Sequence, residues 1–174
     1  MQIPFNLPHV FYPSASKRDN ALALRALLDC LVNLNLAYLR FHKVPGLYQS
    51  GVRYGRTRIW EPIPALYLPN KHHESLLTPF WVPIGESGGE QKGDCKSLAT
   101  ARIAELQIQG IEAKPVFRFA KRPDDSGALD FHILVQVDKK VDPRGWEDPS
   151  RILGMGKDEV QRFGPIVDFL QLAS

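Results

Sequence analysis

The sequence predicts an α+β fold in which a helix opened by Cys95 packs on an antiparallel β-sheet. Three observations lead there. Apolar residues recur at spacings of three and four over residues 16–42 and again over residues 95–109, which is the periodicity of an amphipathic helix. Residues 131–137 alternate, with Phe131, Ile133, Val135 and Val137 on one face and His132, Leu134 and Gln136 on the other, which is the period of a strand. A chain of 174 residues is also the length of one domain with one core.

Residues 1–16 carry three prolines and little periodicity, so an irregular arm is expected. The first helix follows, with Leu24, Leu27, Leu28, Leu31 and Leu34 as its stripe, Ser16 or Asp19 as its N-cap and Pro45-Gly46 as its stop. In residues 47–92, Pro62, Pro64, Pro69, Pro79 and Pro83 fall among Tyr54, Trp60, Tyr67, Phe80 and Trp81, a pattern that predicts short strands and ordered loops. Gly85, Gly88, Gly89 and Gly93 make a turn-rich approach to a second helix over residues 95–109. That helix carries Leu98, Ala99, Ile103 and Leu106 and stops at Gly110. Strands are expected at 113–119 and 131–137, a polar loop at 121–127, another loop at 139–146 and a short helix at 157–163. The whole chain, 1–174, reads as a single domain: arm 1–16, helix and proline/aromatic-rich segment 17–84, catalytic core 85–155, and tail 156–174.

Composition narrows the function classes. Hydrophobic residues at 44% and charged residues at 24% are near globular averages and argue against disorder, fibrous repeats and coiled coils. The net charge of +3 is small, and the basic residues are scattered, which argues against a nucleic-acid partner. Arg53, Arg56 and Arg58 flank Tyr54, but so short a cluster reads as a solvated strand face. No apolar run is long enough for a membrane span, and residues 1–8 lack the charged start and apolar stretch of a signal peptide. The expected compartment is the cytoplasm, with a phage- or virion-associated setting as the alternative. Two cysteines, Cys30 and Cys95, are too few for a disulfide framework. Cys30, between Leu28 and Leu31, reads as a packing residue.

Cys95 stands immediately after Gly93-Asp94 at the first turn of the second helix. Unpaired backbone N–H groups and the positive end of the helix dipole favour a thiolate at such a place. A nucleophilic cysteine needs a base, and His132 on a rigid strand is the candidate. The imidazole needs an acceptor to orient it. Asp130, Asp138 and Asp148 lie within sequence reach, and Asp148 is preferred because it follows a hairpin-like return onto a neighbouring strand end. His72-His73 beside Glu74 invites a metal reading, but a polar, proline-flanked loop favours surface residues, and a site using Cys95 would lack a second cysteine.

These residues resemble the transglutaminase-like superfamily. The resemblance is carried by Gly93-Asp94-Cys95 opening a helix that ends at Gly110-Ile111-Glu112-Ala113, by Asp130-Phe131-His132, and by Trp146-Glu147-Asp148-Pro149-Ser150. The order Cys, His, Asp and the gaps between them are similar to the family's, over about residues 85–155. The resemblance implies a papain-like core with Cys95 as nucleophile, His132 as general base and Asp148 as orienting acid. It implies a cysteine peptidase or amidase that works through a thioester, with a peptide or protein as substrate and no cofactor; that no metal, nucleic acid or membrane is involved is expected from the residues themselves. Crosslinking, with a lysine amine as acceptor, is the alternative. A non-catalytic binding module, such as a phage or prophage accessory protein, is the rival from another class. The oxyanion would take the backbone N–H of Cys95 and a second donor. Gln91 is the candidate by analogy with papain-like enzymes, although its offset of four is shorter than theirs, and Trp81 or Trp60 is the aromatic alternative. Oligomeric state stays open.

Overall fold

A computed structural model of the chain describes residues 17–43, 45–55, 92–121 and 129–167. Helix α1 (Lys17–Phe41) buries Leu28, Leu31, Val32 and Asn35, the inner stripe that a 3.6-residue period gives. Asn35 is tolerated there because its Nδ2 donates to the Leu31 carbonyl at 2.9 Å. A 3₁₀ turn, Leu47–Gln49, leads to strand β1 (Arg53–Tyr54), which pairs in parallel with β2 (Lys92–Gly93). Helix α2 (Cys95–Ile108) follows at once.

Both ends of α2 are written in the sequence. Asp94 is the N-cap, and its Oδ1 accepts from the Ser97 N–H at 3.1 Å, a cap worth about 1 kcal/mol. At the other end Gly110 adopts φ +75°, a conformation that favours glycine. The Gly110 N–H donates to the Gln107 carbonyl and the Ile111 N–H to the Leu106 carbonyl, so the orphan carbonyls of the last turn are satisfied in a Schellman arrangement.

Strand β3 (Ala113–Lys121) pairs antiparallel with β4 (Leu129–Val137) from Ala113↔Val137 to Lys121↔Leu129. The short strand β5 (Trp146–Glu147) adds to the far edge of β4, with Glu147 opposite Val135 and Trp146 opposite Gln136. Phe117 exchanges two backbone hydrogen bonds with Val167 on the outer edge of β3. Pro115 shares the parity of Phe117, so its missing N–H falls on that edge and costs the β3–β4 ladder nothing.

Helices α1 and α2 share a core with one face of the sheet: Leu28, Leu31 and Val32 meet Ala99, Ile103, Ala104 and Leu106 over Phe117, Ile133 and Val135. The other face carries His132 and Leu134, and both are fully buried. Two short helices follow β5, α3 (Pro149–Ile152) and α4 (Lys157–Gln161). Val160, Met155 and Phe163 cluster with Ala120 of β3. The architecture is therefore α+β with a small antiparallel three-stranded sheet.

Several expectations are refined. The second loop ends earlier than expected, because Trp146 and Glu147 pair with β4. The last helix stops at Gln161, with Phe163 beyond it in the core, and α3 was not expected at all. Ser16 as an N-cap, the arm 1–16, most of the proline/aromatic-rich segment and the 122–128 loop lie outside the described residues. Among the described residues no helix is long and apolar enough to cross a membrane.

Candidate active site

Cys95 is the first residue of α2 and is half-buried, packed at the margin of the main core cluster. Strand β2 delivers the chain to it, with the Gly93 carbonyl held by the Gly55 N–H at 2.9 Å. Asp94 does more than cap the helix, because its Oδ2 also binds Nζ of Lys96. That ammonium lies 5.9 Å over the Phe131 ring. Burial works against its charge, but Asp94 and Cys95 outweigh burial and raise its pKa, so Lys96 stays protonated.

His132 sits in the middle of β4 with 1% of its surface exposed. Its Nε2 lies 3.0 Å from Oδ2 and 3.1 Å from Oδ1 of Asp148, and Asp148 is itself only 3% exposed. Burial opposes the imidazolium, but hydrogen bonding to Asp148, followed by hydrogen bonding and charge from Cys95, pushes the His132 pKa up to about 9. With Nε2 engaged by the carboxylate, Nδ1 is the ring nitrogen left for the sulfur. The Phe163 ring packs on the imidazole with centroids 5.3 Å apart, which shields the pair from water.

Asp148 reaches His132 because β5 returns antiparallel along β4 and the chain then turns into α3. The residue has two tasks: Oδ1 also accepts from the Arg151 N–H at 3.0 Å as the N-cap of α3. An aspartate before proline therefore opens a helix and faces a histidine at once. The other two acids are occupied elsewhere. Asp130 pairs with Arg162 at 2.7 Å, and Asp138 accepts from the Lys140 N–H at 2.7 Å in the turn after β4.

His132 and Asp148 are thus in direct contact and Cys95 interacts with the same imidazole, from three elements 37 and 16 residues apart in the chain. Gln91, Trp60 and Trp81, the proposed second oxyanion donors, lie outside the described residues, as do His72, His73 and Glu74 of the metal reading and Arg56 and Arg58 of the basic cluster. Cys30 is half-buried and belongs neither to the core cluster nor to the partly buried residues packed on it, because it is two residues past Leu28 on a helix whose stripe continues at Leu31 and Val32.

Behind Asp148 lies a polar network that residue-by-residue reading of the sequence missed. Arg102 of α2 clamps Glu147 with Nε to Oε2 at 2.8 Å and Nη2 to Oε1 at 3.0 Å, and donates from Nη1 to Glu105 at 3.1 Å. The Tyr48 hydroxyl donates to Glu147 at 2.8 Å, and Glu105 accepts the Leu47 N–H. Burial favours protonation of Glu147, but the bonds from Arg102 and Tyr48 prevail and hold its pKa below the usual value. Only the Arg102/Glu105 spacing on one helix was a sequence signal; the partner on β5 was not.

Comparison with family models, with curated proteins and with solved structures finds no match to the chain. The site itself holds a thiol at a helix start, an imidazole that interacts with it and a buried carboxylate behind the imidazole.

Proposed function

We propose that the protein is a cysteine-dependent hydrolase, a peptidase or amidase that works through a thioester with Cys95, His132 and Asp148 as its triad on a transglutaminase-like, papain-type core. The observation that carries this reading is the His132 imidazole, held by both oxygens of Asp148 at 3.0 and 3.1 Å while its pKa also responds to Cys95. A buried histidine paired only for packing has no need of a thiol within interaction range.

In this mechanism the thiol proton rests on His132 while the Cys95 sulfur attacks a peptide or side-chain amide carbonyl carbon. The resulting oxyanion is met by the backbone N–H of Cys95, one of the unpaired donors of the helix start. As the carbon–nitrogen bond breaks, His132 gives its proton to the leaving amine. His132 then takes a proton from water, whose oxygen attacks the thioester; the carbon–sulfur bond breaks and the acid departs. Asp148 holds the ring orientation throughout and stabilises the imidazolium. With a lysine amine in place of water, the same steps would crosslink proteins.

The test uses thiol chemistry. Iodoacetamide near neutral pH, with mass spectrometry to map the label, should modify Cys95 faster than Cys30, and His132→Ala should slow Cys95 selectively. Equal, slow labelling of both thiols would sink the enzyme reading and leave a binding module. A glutamine-containing peptide with and without a primary amine then separates ammonia release from amine incorporation.

A further inference from the structure

We propose that Arg102 is a positioning residue for the triad, acting through Glu147 to fix the carboxylate of Asp148 against His132. This inference rests on the triad reading given above.

Asp148 is held on its C-terminal side by the α3 cap, where its Oδ1 accepts from the Arg151 N–H at 3.0 Å, and on its N-terminal side by β5 alone. Strand β5 has two residues and forms the edge of its sheet, so its backbone ladder is short, and edge strands with few bonds open readily. Adjoining residues of an extended chain point to opposite sides. Glu147 takes one side and meets Arg102 and Tyr48, while Asp148 takes the other and meets His132. Gripping Glu147 therefore fixes where the next side chain leaves the backbone.

The grip has the geometry to do this. Two parallel bonds from a planar guanidinium fix direction as well as distance. Arg102 is itself tied at Nη1 to Glu105 and lies 5.0 Å over the Tyr48 ring. Arg102 and Glu147 are both largely buried, and a surface pair of the same charges would give no such constraint. Because Arg102 lies two turns along the helix that begins at Cys95, one rigid element carries the nucleophile at its start and the anchor of the acid along its length.

The test reads His132 directly, by NMR titration of histidine-labelled protein, with the resonance identified from His132→Gln. Positional and purely electrostatic effects have opposite signs here. Removing a nearby positive charge favours the imidazolium and would raise the His132 pKa, whereas loosening Asp148 removes its hydrogen-bond partner and lowers it. Arg102→Gln is expected to lower the His132 pKa by about one unit or more, toward the value in Asp148→Asn, and to slow iodoacetamide labelling of Cys95 roughly tenfold. Arg102→Lys keeps the charge but not the fork; it should shift both readouts in the same direction by less, and it carries the test if Arg102→Gln does not fold. An unchanged or raised His132 pKa in a folded Arg102 variant, with only the melting temperature reduced, would overturn the proposal. If Asp148→Asn slows labelling while the Arg102 variants do not, the triad stands and the positioning role falls. If neither His132→Ala nor Asp148→Asn alters labelling, the hydrolase reading falls, and the His132 pKa in Arg102→Lys still decides whether Arg102 sets Asp148.

Discussion

Cys30 and Cys95 sit on α1 and α2, two helices that pack against one another, and both thiols are half-buried. Burial alone does not separate them. Cys30 lies mid-helix beside the core stripe, where burial pushes its pKa up and lowers its reactivity. Cys95 opens its helix, next to a charged lysine and a buried histidine backed by a carboxylate. What distinguishes the proposed nucleophile from the other thiol is the company that three separate segments bring to it.

The largest effects should come from dismantling that company. Cys95→Ala is expected to abolish turnover of any amide substrate, by roughly 10⁴-fold or more, and to leave the melting temperature nearly unchanged because a small half-buried side chain is lost. His132→Ala should cost activity on a similar scale, since nucleophile and base act as one unit. Asp148→Asn is the more informative variant. Asparagine is as good an N-cap as aspartate, so α3 keeps its acceptor for the Arg151 N–H while His132 loses its counter-charge. Activity should fall by about 10²- to 10⁴-fold with the circular-dichroism spectrum intact. A parallel collapse of α3 and activity would mean that the cap, and not the charge, is what matters.

The two regions also differ in how they respond to pH. The His132 pKa lies at about 9 in the fold against an ordinary value of 6.5, so the folded state holds this proton more tightly than the unfolded chain. Its stabilising contribution is complete below about pH 6.5 and is lost as pH rises through about 9, at most on the order of 3 kcal/mol. Denaturant unfolding at pH 6 and pH 9 should show that fall in the native protein and a flatter profile in His132→Gln. Equal slopes in the two proteins would show that other groups govern the alkaline loss. Turnover should decline over the same alkaline range, as the acid that protonates the leaving amine is lost.

How much of this was legible in the sequence follows from the range of each interaction. Local features were readable: the start of α2 just after Gly93-Asp94, the Gly110 stop and the alternation of β4 all depend on near neighbours in the chain. Asp148 could be singled out because β5 returns along β4 after a short turn. The Arg102–Glu147 clamp could not, because it joins residues 45 apart across two elements whose packing no local pattern encodes. Helix α3 went unseen for a different reason. Its four residues follow an Asp-Pro step, which in sequence is equally a turn.

A smaller effect tests the helix start on its own. Asp94→Ala removes the cap of α2 and the partner of Lys96 together. It should cost about 1–2 kcal/mol in denaturant unfolding, with Cys95 labelling changed less than by His132→Ala. A larger effect on labelling than on stability would shift weight from the histidine to the Asp94–Lys96 pair.

The smallest expected effect belongs to the other thiol. Cys30→Ala deletes one half-buried sulfur that is no part of the cluster of Leu28, Leu31 and Val32. No cavity forms inside the core, so the cost should stay below about 1 kcal/mol, and alanine's higher helix propensity offsets part of it. The labelling rate of Cys95 should be unchanged, because Cys30 belongs to none of the elements that carry His132, Asp148 or Arg102. A loss of several kcal/mol would mean that Cys30 is a core residue after all. A change in Cys95 reactivity would mean that α1 tunes the site through its contact with α2, and that the two helices are not the separate environments their sulfurs suggest.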